Sequence, residues 1–343
     1  MKKIVISIIM LISIFTTMYL IRVEKQIPNK LKSVNLSTDY EIDQALKDID
    51  MMDANTVNIP IVINIPSLTS NEMKVDEYSK EKAIKLMKIL DEKDIAVILE
   101  PFPWIDNGSK YETEYNPKDK DEFFKDWKNI LSKLISEVAN PYGADIIITA
   151  SNFINLEKYE ENWCEIIDFT KANFDGLVTY KTTWWYTASW DEESMKRYEE
   201  KLNNKLFYKV DFISIAAYFE LSSKESNTVT ELVNCLTGTT VNNRNQNVKS
   251  EIEEFSKTYN KQIFFGELGF PRLNHAATQP WNNQVSNIEN DEEQARCFEA
   301  YRISFEDEDY IKGFSVFAVG QKGKDKLFYP SNESIKIIKK WYK

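Results

Sequence analysis

The sequence predicts a single (β/α)8 barrel, preceded by an N-terminal transmembrane or signal segment. Three observations carry that expectation. Eight short β-branched runs alternate with longer, charge-rich amphipathic stretches. The runs are apolar on both faces, as the strands of a parallel sheet covered by helices must be. Finally, no glycine-rich phosphate loop follows the first run, and eight units in one chain suit a closed barrel better than an open doubly wound sheet.

In chain order the strand runs are 33–36, 56–65, 95–102, 144–151, 176–182, 212–219, 262–270 and 313–319. Between them, apolar residues at helical spacing predict helices over 79–93, 120–139, 156–173, 191–206, 248–259, 291–305 and 331–341. No Pro/Gly/Ser linker divides residues 26–343, so they form one domain. Residues 1–25 are read separately. Lys2 and Lys3 precede an almost unbroken apolar stretch from Ile4 to Ile21, and Arg22 follows it. That pattern fits an uncleaved membrane anchor or a long signal peptide, and no Ala-x-Ala-like cleavage site follows. The barrel is accordingly expected at the extracellular face of the cell membrane, or secreted if the segment is cleaved.

Composition narrows the chemistry. A formal charge of −11, with basic residues scattered among acids, leaves no basic face for nucleic acid. Three cysteines, widely spaced and without a CxxC pair, support neither a disulfide framework nor a zinc site. With one histidine in the chain, catalysis must rest on carboxylates, hydroxyls or amines. No metal or organic cofactor is implied.

Barrels of this kind carry their chemistry at the C-terminal ends of strands and in the loops that follow. That rule selects Glu100, Asn152, Trp184, Trp185, Tyr218, Glu220 and Glu267, and the loops add Trp104, His275 and Trp281. Carboxylates ringed by aromatic platforms are what glycoside hydrolysis requires. A strand-end glutamate can instead cap a helix or pair with a lysine. Glu267, however, follows the apolar run 263–266 and precedes Gly269, which lets the chain turn closely. The tryptophans and Tyr218 are read equally as core aromatics or as groove lining, and His275 as a loop residue or a ligand contact.

These residues resemble the family 113 glycoside hydrolases, β-mannanase-like barrels of the large retaining-enzyme clan. The stretch "IFFGELGFPRLNHAATQPW" at 263–281 looks like that family's seventh-strand motif. Weaker matches in the same order are "VNL" at 34–36, "DANTVNI" at 53–59, "LVTYKTTW" at 177–184, "ISIAAYF" at 213–219 and "EEQARCFEAYRISF" at 292–305. The resemblance implies Glu267 as nucleophile, with Tyr218 positioning it, and a second glutamate just after strand four as acid/base. There the chain reads "ITASNFINLEKYEENW", so Asn152 stands where that glutamate is expected, while Trp163 keeps its spacing. Two further departures are Phe317, where the family usually has tryptophan, and Glu100, where a basic residue is common.

An amide has no proton to give near neutral pH, so three readings compete. Glu157, Glu160 or Glu161 swings in from the following segment, Glu100 or Glu220 serves as a relocated acid, or the barrel has lost hydrolysis. The expectation is a monomeric, cell-surface glycoside hydrolase-like protein that acts on or binds β-linked polysaccharide or oligosaccharide, retaining if active. Its catalytic candidates are Glu267, Glu220 and Glu100. The alternatives are a glycan-binding barrel without catalysis, and a surface interaction module with a vestigial groove.

Overall fold

The computed structural model describes residues 27–322 and 327–343. Eight parallel strands form the barrel: β1 (Leu31–Leu36), β2 (Thr56–Ile65), β3 (Ala96–Ile105), β4 (Ile146–Ser151), β5 (Leu177–Thr183), β6 (Phe212–Ala216), β7 (Ile263–Leu268) and β8 (Ile311–Val319). Each pairs in parallel with its neighbour in chain order, and β1 pairs with both β2 and β8, which closes the ring. Residues 1–25, expected to be an anchor or signal segment, lie outside the described residues. Among the described residues, no helix is long and apolar enough to cross a membrane.

Strand alternation divides the apolar residues into two cores. Leu31, Ile98, Ile146, Ile148, Phe212 and Phe264 pack together as one buried cluster, the filling of the barrel's lower interior. Their neighbours Val97, Leu99, Ile147, Ile213 and Phe265 point outward into the larger core shared with the helices. Helix starts are set by side-chain caps: Asp76 accepts from the Ser79 backbone N–H at 2.7 Å, Asp119 from Glu122 at 3.0 Å and Asn290 from Glu293 at 2.9 Å.

Several boundaries differ from the sequence reading, for local reasons. β3 runs on to Ile105 through Pro101 and Pro103, because β4 pairs with it only at Ile98 and Leu99 and the prolines then face no ladder on that edge. β2 and β3 stay in register with each other over ten residues, and the two-residue strand Lys74–Val75 folds back antiparallel onto the end of β2. β6 is shorter than the run 212–219, since the Tyr218 N–H turns back to the Ala216 carbonyl at 3.1 Å. The helices Ile42–Met52 and Val229–Cys235 were not anticipated.

Candidate active site

Above the apolar filling, the strand ends carry a buried polar belt. Asn35 on β1 donates from Nδ2 to the Gly266 carbonyl on β7 at 2.7 Å, and its Oδ1 accepts from Asn58 on β2. Asn58 Nδ2 also donates to Glu100 Oε2 on β3 at 2.5 Å. Ser151 on β4 donates to the other Glu100 oxygen. Lys181 on β5 lies 2.7 Å from that same oxygen and also donates to Glu267 Oε1 on β7. One lysine is thus shared by two carboxylates. Lys181 is 1% exposed and Glu267 8%.

Burial alone would lower the Lys181 ammonium, but the charges of Glu100 and Glu267 and their hydrogen bonds outweigh it and hold the pKa above the ordinary lysine value. Gly266 makes this possible: a Cβ there would run into Ser214 Oγ and meet Lys181 Cδ at 3.1 Å. The Tyr218 hydroxyl is pushed well up, first by burial and then by the charge of Glu267 and a hydrogen bond to it. It stays a neutral donor beside that carboxylate.

The remaining candidates fall into different surroundings. Glu220 is buried in an ion pair with Arg244 at 2.5 Å and accepts from the Tyr186 hydroxyl at 3.1 Å, while Arg244 lies over the Tyr186 ring at 4.0 Å. Trp184 meets Tyr218 edge-on at 5.5 Å, and Tyr218 meets Phe317 at 6.3 Å, so the three rings form one aromatic wall at the mouth. Trp184 also lines a cavity of about 290 Å³ with Tyr186, Lys158 and Arg197. Trp185 turns the other way, into the core against Tyr198, Phe219 and Phe255, and donates to Glu251 at 2.8 Å.

Trp104 lines a cavity of about 540 Å³ near the tips of β2 and β3, with Asn64, Met73 and Asn107. Trp281 is 44% exposed. His275 adopts a positive φ of 64° in a turn, with Nε2 3.9 Å from Glu225. Glu157 pairs with Lys201 at 2.5 Å, and Glu160 and Glu161 both pair with Lys205.

Asn152 sits directly after β4 with φ 55°, fixed by the buried Phe153 that follows it and stacks on Trp163. Its Nδ2 donates to Glu112 Oε1 at 3.0 Å, and its buried Oδ1 has no partner among the described residues. Glu112 opens a single helical turn, Glu112–Glu114, in the loop after β3. That turn is tied to the β4 loop. Asn155 donates to the Tyr115 carbonyl at 3.2 Å, and the buried Tyr115 ring packs on Phe153 at 5.6 Å.

Burial, and then the charge of Glu267, push the Glu112 carboxyl above the usual glutamate range. Hydrogen bonds from its own backbone and from Asn152, and the charge of Lys181, oppose the shift without cancelling it. Nothing in the stretch "NGSKYETEY" marks Glu112 for this position. It follows no strand end, and Glu114 two residues on is chemically identical.

A family model described as Glycoside Hydrolase Family 113 matches residues 34–338. The chain belongs to glycoside hydrolase family 113. Similar solved structures include a GH113 beta-1,4-mannanase at 18% identity and TM-score 0.70, covering 92% of this chain and 99% of that one. Another is the GH113 beta-mannanase AaManA from Alicyclobacillus acidocaldarius in complex with ManMIm, at 15% identity and TM-score 0.72, covering 91% and 97%. A beta-glucuronidase from Ruminococcus gnavus matches over 92% of this chain and 50% of its own, at 12% identity and TM-score 0.57. No curated protein sequence matches the chain.

Two departures of this family 113 chain from its family's pattern have a physical counterpart in the site. Where the resemblance leads one to expect a basic residue at Glu100, a positive charge comes from Lys181 two strands along, on β5, and it also reaches Glu267. The carboxylate absent at Asn152 has one hydrogen-bonded to it, Glu112. Among the described residues, no group of His, Cys, Asp and Glu side chains is arranged to hold a metal ion.

Proposed function

We propose that the chain is a retaining β-glycoside hydrolase of the β-mannanase type, with Glu267 as nucleophile. The observation that supports this best is the setting of Glu267. In a family 113 barrel, it stands at the end of β7 and is held by a charged Lys181 and a neutral Tyr218. Lys181 sets a positive charge against the Glu267 carboxyl, and the Tyr218 hydroxyl holds its orientation.

In the first step one Glu267 oxygen bonds to the anomeric carbon as the bond to the leaving sugar breaks. In the second, water displaces Glu267 and regenerates the free carboxylate, with two inversions giving net retention. Trp184, Tyr218 and Phe317 offer apolar faces for sugar rings, and the unpartnered Asn152 Oδ1 is an acceptor for a sugar hydroxyl. The substrate class is a β-linked polysaccharide or oligosaccharide. The sequence of residues 1–25 supports a place on the outer face of the membrane or in secreted form.

A second reading, a glycan-binding barrel without catalysis, rests on Asn152, whose amide stands at the family's acid/base position. Hydrolysis of an activated aryl β-mannoside separates the two, since a good leaving group needs little protonation. The expected result is turnover by the full-length chain that falls roughly 10⁴-fold or more in Glu267→Gln. Sugar binding without turnover on any activated β-glycoside would leave the second reading standing.

A further inference from the structure

A retaining hydrolase needs a second carboxyl group about 5 to 5.5 Å from the nucleophile, protonated when the first step begins. Three carboxylates besides Glu267 are placed at or near the mouth on the criteria above, and two are held by cations. Glu100 is paired with Lys181 and accepts from Ser151 and Asn58, and Glu220 is paired with Arg244. A carboxylate engaged by a cation in a charge-assisted hydrogen bond is held by that partner and is not free to turn toward a glycosidic oxygen. Glu112 differs. Its side-chain partner is the neutral amide of Asn152, and among the described residues no cation forms an ion pair with it.

From this geometry we infer that Glu112, delivered by the loop after β3 and held at the end of β4 by Asn152, is the general acid/base of the reaction. The inference rests on the hydrolase reading given above. The charge count of the site agrees with it. Lys181 offsets one of the two carboxylates it touches, which leaves a surplus negative charge, and a third carboxyl in the field of Glu267 is stabilised by keeping its proton. Asn152 thus serves as the positioning residue, and its side chain anchors the carboxyl that the strand end itself lacks.

In the first step Glu112 gives its proton to the glycosidic oxygen as the C1–O bond breaks and Glu267 bonds to C1. In the second, the Glu112 carboxylate takes a proton from water, the water oxygen bonds to C1, and Glu267 leaves. Proton and electron pairs balance over the two steps, and no other reactant than water enters.

The test uses the full-length chain and two substrates, a 2,4-dinitrophenyl β-mannoside and a β-1,4-linked mannooligosaccharide. For Glu112→Gln, kcat/KM on the oligosaccharide is expected to fall about 10²- to 10⁴-fold, while the first step on the dinitrophenyl substrate stays near native. The basic limb of the native pH profile should disappear in the same variant. Azide added to Glu112→Ala should restore release of the activated substrate, giving a β-glycosyl azide. Equal oligosaccharide turnover by native chain and Glu112→Gln would overturn the inference and leave the hydrolase reading intact. So would a Glu112→Ala variant that azide does not rescue. Failure of the native chain on both substrates would overturn the hydrolase reading, and the role of Glu112 with it.

Discussion

Lys181 is the residue on which the mouth of the barrel depends, because among the described residues it alone is ion-paired with both Glu100 and Glu267. Replacing it by methionine keeps much of the volume and leaves two buried carboxylates facing each other. Removing one partner from a buried ionic group costs about 3–5 kcal/mol, so Lys181→Met should lower the urea midpoint by that equivalent and abolish turnover. The pH sense follows from the direction of the shift. The folded-state pKa is raised, so the stabilisation is fully present below the ordinary lysine range and fades only as pH rises through the higher folded value. Unfolding at neutral pH therefore reads the whole effect.

The place of Glu267 at a strand end was legible in the sequence, because a carboxylate after an apolar run stands out there. Lys181 carries no such signal inside "LVTYKTT", since a lysine in a run otherwise apolar or β-branched is ordinarily placed on a solvated edge. The contact of Glu112 with Asn152 was not legible, for the two lie forty residues apart in the chain.

At the scale of elements, the ends of strands decide which side chains reach the mouth. Trp184 and Trp185 are adjacent after β5 and point opposite ways, as extended backbone requires. The sequence could name the pair, but not which member faces inward. Trp185→Ala should destabilise the fold by about 3–5 kcal/mol, the cost of an emptied core position. Trp281→Ala should leave stability within about 0.5 kcal/mol, since its side chain lies at the surface, 44% exposed. Urea unfolding of both variants checks the contrast. Strand starts were read within two residues of their positions, because β-branched runs begin sharply. Strand ends were read less well at β3 and β6, where proline placement and a backbone turn outweighed composition.

For the whole molecule, the sequence order of eight strand and helix units specified the architecture, and closure is completed by one glycine. Gly313 on β8 pairs with Leu31 on β1 at φ 150°, and a Cβ there would collide with the Leu31 carbonyl oxygen. Gly313→Ala should therefore cost about 1–3 kcal/mol, read as a lower midpoint with an unchanged far-ultraviolet spectrum below it.

The ring is not level, however. Beyond Glu100, β3 continues with β2 for five residues, up to about 16 Å of paired backbone at 3.3 Å per residue, braced by Lys74–Val75. The opposite rim, where β6 stops at Ala216, carries no such extension of strand. The mouth is in this sense a step rather than a trench. On the hydrolase reading, a sugar polymer lying against it would rest on paired strand along the β2–β3 flank, so the lengths of the fragments released would follow the length of that flank as much as the chemistry of the bond.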